Sequence, residues 1–157
     1  MAKVPDAPVA RSCWENRWTQ PSFEQVFEPF QEDRRKHLTM LLEGFGQFAG
    51  VEKRLVWHGD AWRWTVEFIL VTEDGRDLGI LAYLVPNPDG LVLCIPLLAE
   101  QVDGLPFKRL NKFVREGIRL AKVAVEQHWC KWNPTAMSEC DHLIDLFKRK
   151  YKMLIAS

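Results

Sequence analysis

The chain lacks most of the signatures that would assign it a chemistry. No apolar run approaches the roughly 20 residues that a bilayer-spanning helix needs, so a transmembrane protein is not expected. The first residues, "MAKVPDAPVARSCW", lack the apolar core of a secretory leader. A cytoplasmic location is therefore the expectation. Cysteine is sparse: Cys13, Cys94, Cys130 and Cys140 form no C-x-x-C pair. Reduced thiols fit that density better than a disulfide framework does. There is no phosphate-binding glycine loop, no dinucleotide fingerprint, no H-E-x-x-H and no serine elbow. No cofactor, metal or catalytic residue is expected, and an enzyme is less expected than a binding protein. The chain also lacks internal repeats and low-complexity segments.

Net charge is absent as well, with 21 Lys and Arg against 21 Asp and Glu. The balance hides an uneven distribution. Residues 1–104 carry 10 basic and 16 acidic side chains, whereas residues 105–157 carry 11 and 5. Such a split points to a basic binding face or to association between unlike surfaces. At 157 residues, 47% of them hydrophobic and 27% charged, the chain is the size of one globular domain with one core.

The chain order gives the fold. Residues 1–21 contain Pro5, Pro8 and Pro21 and no periodicity, and read as a loosely ordered arm that Trp14 and Trp18 pin to the body. Residues 22–157 form a single domain. Ser22 and Gln25 have capping-box spacing, and Pro29 demands a break near Glu28. Phe30, Leu38, Leu41, Leu42 and Phe45 then keep helical spacing until Gly44 and Gly46 supply a C-cap and turn. Four strands follow, over residues 51–57, 62–71, 78–85 and 91–97, joined by short turns. Trp62, Trp64, Val66, Phe68 and Leu70 alternate with Arg63, Thr65 and Glu67, the pattern of a half-buried strand. "LGILAYLV" and "LVLCIPLL" are apolar at successive positions, which suits strands covered on both sides. A long helix is expected from Pro106 to about Lys122, with Leu110, Phe113, Val114, Gly117 and Ala121 on one face. "VAVEQHW" is a short strand with Val123, Val125 and Trp129 on one side. The last helix starts after Ser138 and buries Cys140, Leu143, Ile144, Phe147 and Tyr151. The order α-β-β-β-β-α-β-α predicts an α+β domain, an antiparallel β-meander with helices packed mainly on one face.

These residues carry a resemblance. An amphipathic helix, then "VEKRLVWHGDAWRWTVEF", then "LGILAYLVPNPDGLVLCIPL", a long helix, a short strand and a final helix resemble the YdhG-like group of small uncharacterised bacterial α+β domains. The W-H-G turn followed by W-R-W is similar to that group's segment of tryptophan, glycine and aromatic strand. The resemblance spans residues 22–155. It implies a compact cytoplasmic domain with no established activity, and it carries over no site residue.

Three places invite a functional reading. In "RLVWHGDAWRWTVEF", His58 and Asp60 flank Gly59, but turn chemistry accounts for Gly59 and Asp60. Alternation assigns Trp62 and Trp64 to the core. Trp57 and His58 remain as a pocket edge, and with Trp132 they make the candidate small-molecule site. Near the C-terminus, His128 and Cys130 are followed by Cys140 and His142, a zinc-like set of residue types. On a helix, Cys140 and His142 point about 200° apart, so no metal site is expected. The third place is a basic stripe. Lys108, Lys112, Arg115, Arg119 and Lys122 step by three and four residues and fall within an arc of about 80° on an ideal helix. Aligned cations attract phosphate, acidic protein or nucleic acid, whereas the simplest reading of any such stripe is a solvated face. Two functions follow from different classes. One is a non-catalytic binding or interaction domain that engages an anionic ligand or partner through the basic helix face. The other is a small-molecule-binding protein or enzyme with an aromatic pocket near Trp57. Homodimerisation through a sheet edge or the arm is a third expectation.

Overall fold

A computed structural model describes residues 13–156. The expected arm therefore lies mostly outside the described residues, and only its last part is seen. There Trp14 is buried and its indole Nε1 donates to the Trp62 carbonyl at 3.0 Å, whereas Trp18 is 83% exposed. Trp14 thus does the pinning expected of it, and Trp18 does not.

Helix α1 (Phe23–Phe27) starts at Ser22 with the expected capping box: Ser22 Oγ accepts from the Gln25 amide, and Gln25 Oε1 accepts from the Ser22 amide. The chain breaks at Pro29 and restarts as α2 (Glu32–Gly46). Gly44 and Gly46 lie inside this helix and do not form its cap. Gly44 is required there because a Cβ would come 2.4 Å from Ile144. The turn instead uses Gly50, whose φ is +83°.

Strands β1 (Val51–Trp57), β2 (Trp64–Val71), β3 (Asp77–Val85), β4 (Val92–Leu98), β5 (Lys122–Ala124) and β6 (Gln127–Trp132) make one sheet in the order β1-β2-β3-β4-β6-β5. All its pairings are antiparallel. The α+β meander expected from the sequence is therefore the architecture, with one strand more than expected. "VAVEQHW" is a hairpin, because Val125 and Glu126 take positive φ and reverse the chain. Val123 and Val125 stand exposed and do not share a packed side with Trp129.

Between β1 and β2 the chain makes the one-turn helix α3 (Gly59–Trp62) in place of a tight turn. Gly59 has φ +85°, and Arg63 also takes positive φ. This moves Trp62 off the strand: its ring packs with His58 and Tyr83, away from Trp64. Nor is β2 half-buried. Thr65 and Glu67, assigned to a wet face, are buried.

Helices α4 (Ala99–Asp103), α5 (Lys112–Arg119) and α6 (Met137–Ala156) complete the chain. The long helix expected from Pro106 is interrupted. A 3-10 turn occupies Phe107–Arg109, and Leu110 is extended. α5 then begins at Asn111, whose side chain accepts from the Phe113 amide. At its other end the helix stops at Leu120, and Lys122 already belongs to β5.

The register explains what each sheet face carries. Leu55, Val66, Leu84, Leu93 and Trp132 are successive cross-strand partners, all buried, and the core helices α2, α5 and α6 pack on their side. The core gathers there, around Phe45, Phe68 and Phe147, with Phe45 and Phe147 stacked at 4.1 Å. Ile69, Tyr83 and Cys94 are buried but belong to the other face and lie outside that core cluster.

One polar side chain crosses into the core. Beyond the Tyr83–Cys94 pair, β3 and β4 are no longer paired, and Pro96 has no N–H to offer. Lys150 of α6 enters this gap. Its Nζ donates to the carbonyls of Ile80 (2.7 Å), Leu81 (3.2 Å) and Pro96. An ammonium has three N–H donors, so three carbonyls satisfy it in full. Among the described residues, no helix is long and apolar enough to cross a membrane.

Candidate functional site on strand β6

The most site-like region lies around β6. β5 covers only Gln127 to Trp129 of that strand, so its outer edge is open from Cys130 to Trp132. Beside this edge is a cavity of about 410 Å³, bounded by α5, the α5–β5 connection and β6. Its aromatic lining is Phe113, Trp129 and Trp132, and Lys122 and Lys131 stand in its wall. Trp132 is fixed from two sides. Its Nε1 donates to the Phe113 carbonyl at 3.1 Å, and Gly117 lets the helix approach so closely that a Cβ would lie 2.0 Å from that nitrogen.

The electrostatics of the lining favour an anion. Glu116 is the acidic residue there, and it is taken up by Arg119 at 2.6 Å. The Arg119 guanidinium holds its carboxyl below the usual range. Among the described residues, Lys122 and Lys131 have no carboxylate partner. Of the five cations expected on one stripe, Lys112, Arg115 and Arg119 stay on α5 within an arc of about 60°. Lys108 sits on the separate 3-10 turn, and Lys122 reaches the cavity from β5. The five-residue stripe thus becomes a three-residue helix face with Lys122 added at a cavity mouth.

The grouping of Trp57, His58 and Trp132 is not formed. Trp57 turns towards the core and meets Trp64 edge-on at 5.6 Å. Trp132 is four strand positions away in the sheet, about 19 Å at ordinary strand spacing. His58 is on the opposite face. It enters a cluster that the sequence did not reveal, because its members come from five strands.

That cluster follows from the register. Arg54, Glu67, Tyr83, Cys94 and Lys131 are successive partners across β1, β2, β3, β4 and β6, one residue out of step with the apolar row beneath them. A single-residue step along each strand exchanges the core face for a polar row. Glu67 is its centre, its side chain only 6% exposed. It accepts from Arg54 Nε at 2.7 Å and from His58 Nε2 at 2.6 Å. Tyr83 stands beside it, ringed by His58 at 5.3 Å, Trp62 at 5.3 Å and Trp129 at 6.1 Å. Burial, and then the charge of Glu67, raise the Tyr83 phenol pKa. The Lys131 Nζ lies over the Trp62 ring, 5.4 Å from its centre.

Nucleophilic chemistry is poorly served here. Burial pushes the thiols of Cys94 and Cys130 up to about 12, so both remain protonated at neutral pH. Cys140 is also buried, its Sγ directed at the His37 carbonyl, while His142 is exposed on the far side of α6. The four residues of the zinc-like set do not converge, and no group of three or more ligand-type residues suited to a metal occurs among the described residues.

The fold and the site together define a small α+β domain with a ligand-sized cavity at a sheet edge. No family model matches the chain, and no curated protein is significantly similar to it.

Proposed function

We propose that this chain is a non-catalytic binding domain and that it holds an anionic, partly aromatic ligand in the cavity between α5 and β6. The observation that carries the reading is the lining itself: three aromatic side chains with Lys122, which has no carboxylate partner among the described residues, and with Lys131 at the border, its ammonium over Trp62. At about 410 Å³ the cavity falls in the range of roughly 300–1,000 Å³ typical of small-molecule sites. The basic face of α5 adds attraction for the same sign of charge through Lys112 and Arg115. A cytoplasmic setting is supported by the four free thiols. The reading of the chain as a member of the YdhG-like group rests on its aromatic segment over residues 51–68, and it adds no activity to the proposal.

Calorimetric titration with aromatic carboxylates, aromatic phosphates and their uncharged analogues tests this. The anionic compounds should bind and the uncharged ones should bind more weakly. A short oligonucleotide and an acidic peptide belong in the same panel. If only these macromolecules bind, and the binding is unaffected by Lys122→Glu, the cavity is not the site.

A further inference from the structure

We propose that the aromatic cluster on the opposite sheet face is an ammonium-binding site, which Lys131 fills in the unliganded protein. The inference rests on different observations from the anion cavity, although Trp129 and Lys131 border both places.

The geometry is that of a partial box. The rings of His58, Trp62 and Trp129 all gather on Tyr83, with centres 5.3, 5.3 and 6.1 Å from its own. Each of these rings carries a negative π-face, and a cation over such a face within about 6 Å of the ring centre is attracted. An ammonium already lies against one of these rings. Lys131 is an exposed residue on β6, and nothing but solvation dictates where its ammonium goes. It nevertheless extends back over the sheet to the Trp62 indole and has no carboxylate partner among the described residues. The chain itself thus shows which chemistry the box accepts. Glu67, the cross-strand neighbour of Tyr83, adds a carboxylate beside the rings. Arg54 and His58 satisfy its oxygens and hold the carboxylate in position.

The ligand class is a primary or quaternary alkylammonium. Lys131 is a suitable placeholder because it is replaceable: an exposed cation–π contact is weak, and the lysine has a second environment at the mouth of the anion cavity. Release of Lys131 uncovers the box without any backbone movement. No covalent or group-transfer step is involved.

The test is nitrogen–proton correlation spectroscopy of the tryptophan indoles during titration with choline, with its neutral isostere dimethylbutanol as the control. Choline should shift the Trp62 and Trp129 indole signals, and dimethylbutanol should leave them in place. Lys131→Ala removes the competitor and should tighten choline binding by about 2- to 5-fold. Lys131→Arg keeps a cation in the box and should not tighten it. Trp129→Ala should abolish the Trp62 shift while the remaining spectrum stays dispersed. Equal shifts with choline and dimethylbutanol would overturn the proposal, leaving an apolar patch with no preference for charge. So would the absence of any shift in both the wild type and Lys131→Ala up to the solubility limit. The anion cavity is read separately, in the wild-type protein and with probes of opposite charge.

Discussion

Gly117 of α5 lies against the indole of Trp132 so closely that one added methyl would stand 2.0 Å from its Nε1. The contact sets the distance between α5 and β6, and with it the width of the cavity. Helix propensity alone predicts that Gly117→Ala stabilises α5 by up to about 1 kcal/mol. The packing predicts the opposite, a loss of about 1–3 kcal/mol from overpacking, because the indole is also tied to Phe113 and cannot move aside freely. Urea unfolding decides the sign. Gly46 in α2 is the control: nothing lies within 4 Å of its hypothetical Cβ, so Gly46→Ala should be neutral or stabilising.

Lys150 gives a pH prediction. Burial lowers its pKa to about 7, against an ordinary lysine value near 10.4, although its three carbonyl partners favour the charged form. Above the folded pKa the unfolded chain binds more protons at this residue than the native one does. Its contribution to stability therefore rises with pH from about 7 and is lost as pH falls back through that value. The buried thiols of Cys94 and Cys130 act in the other direction above about pH 8.5, where unfolded cysteines ionise and the native ones do not. The informative window thus runs from about pH 7 to about pH 8.5. Within it, wild-type stability should rise relative to that of Lys150→Met. The variant should also be less stable by about 1–3 kcal/mol, because it leaves carbonyls of Ile80, Leu81 and Pro96 without a donor. Parallel pH profiles for the two proteins would contradict this account.

Tyr83 offers a readout of the polar row. The sequence has only two tyrosines, so Tyr151→Phe leaves Tyr83 as the single phenol to titrate. Its pKa should lie above that of a free tyrosine, first through burial and second through the charge of Glu67. Replacing Glu67 with glutamine removes the second cause, leaves Arg54 to lower the pKa further, and keeps the burial. Ultraviolet titration should then show a midpoint that moves down but stays raised. An unchanged midpoint would mean that Glu67 does not act on the phenol.

Much of the fold could be read from the sequence, because local rules decide it. Ser22 and Gln25 announce the α1 cap, and the alternation of Trp64, Val66, Phe68 and Leu70 announces β2. Cys140, Leu143 and Phe147 announce the buried stripe of α6. The errors fall where tertiary contacts override local preference. Gly44 looks like a helix stop, but it is a clearance for Ile144, which is 100 residues away. Val125 and Glu126 are unfavourable at positive φ, so nothing local marks the β5–β6 reversal. Trp62 sits in step with Trp64, and only the one-turn helix α3 takes it off the strand.

The site was less legible still. Lys122 and Trp132 were visible as candidates, but their meeting beside Gly117 depends on how α5 docks. The row of Arg54, Glu67, Tyr83, Cys94 and Lys131 exists only through the register of four strand pairs. Its members are spread over more than 75 positions and share no spacing. In the sequence His58 stands near Asp60, whereas its partner in the fold is Glu67 on the adjacent strand. The one sequence signal available was that Thr65 and Glu67 interrupt an otherwise apolar strand. A polar residue buried in that setting needs a partner.

The central claim, an anion site between α5 and β6, is tested most directly by calorimetric titration with anilinonaphthalene sulfonate, an anionic aromatic probe. Wild-type protein should bind it with an affinity that falls as salt is added. Lys122→Glu combined with Lys131→Glu should weaken binding by about tenfold or more, the equivalent of losing one charge-assisted contact. Equal affinity for the wild type and the charge-reversed protein would contradict the account.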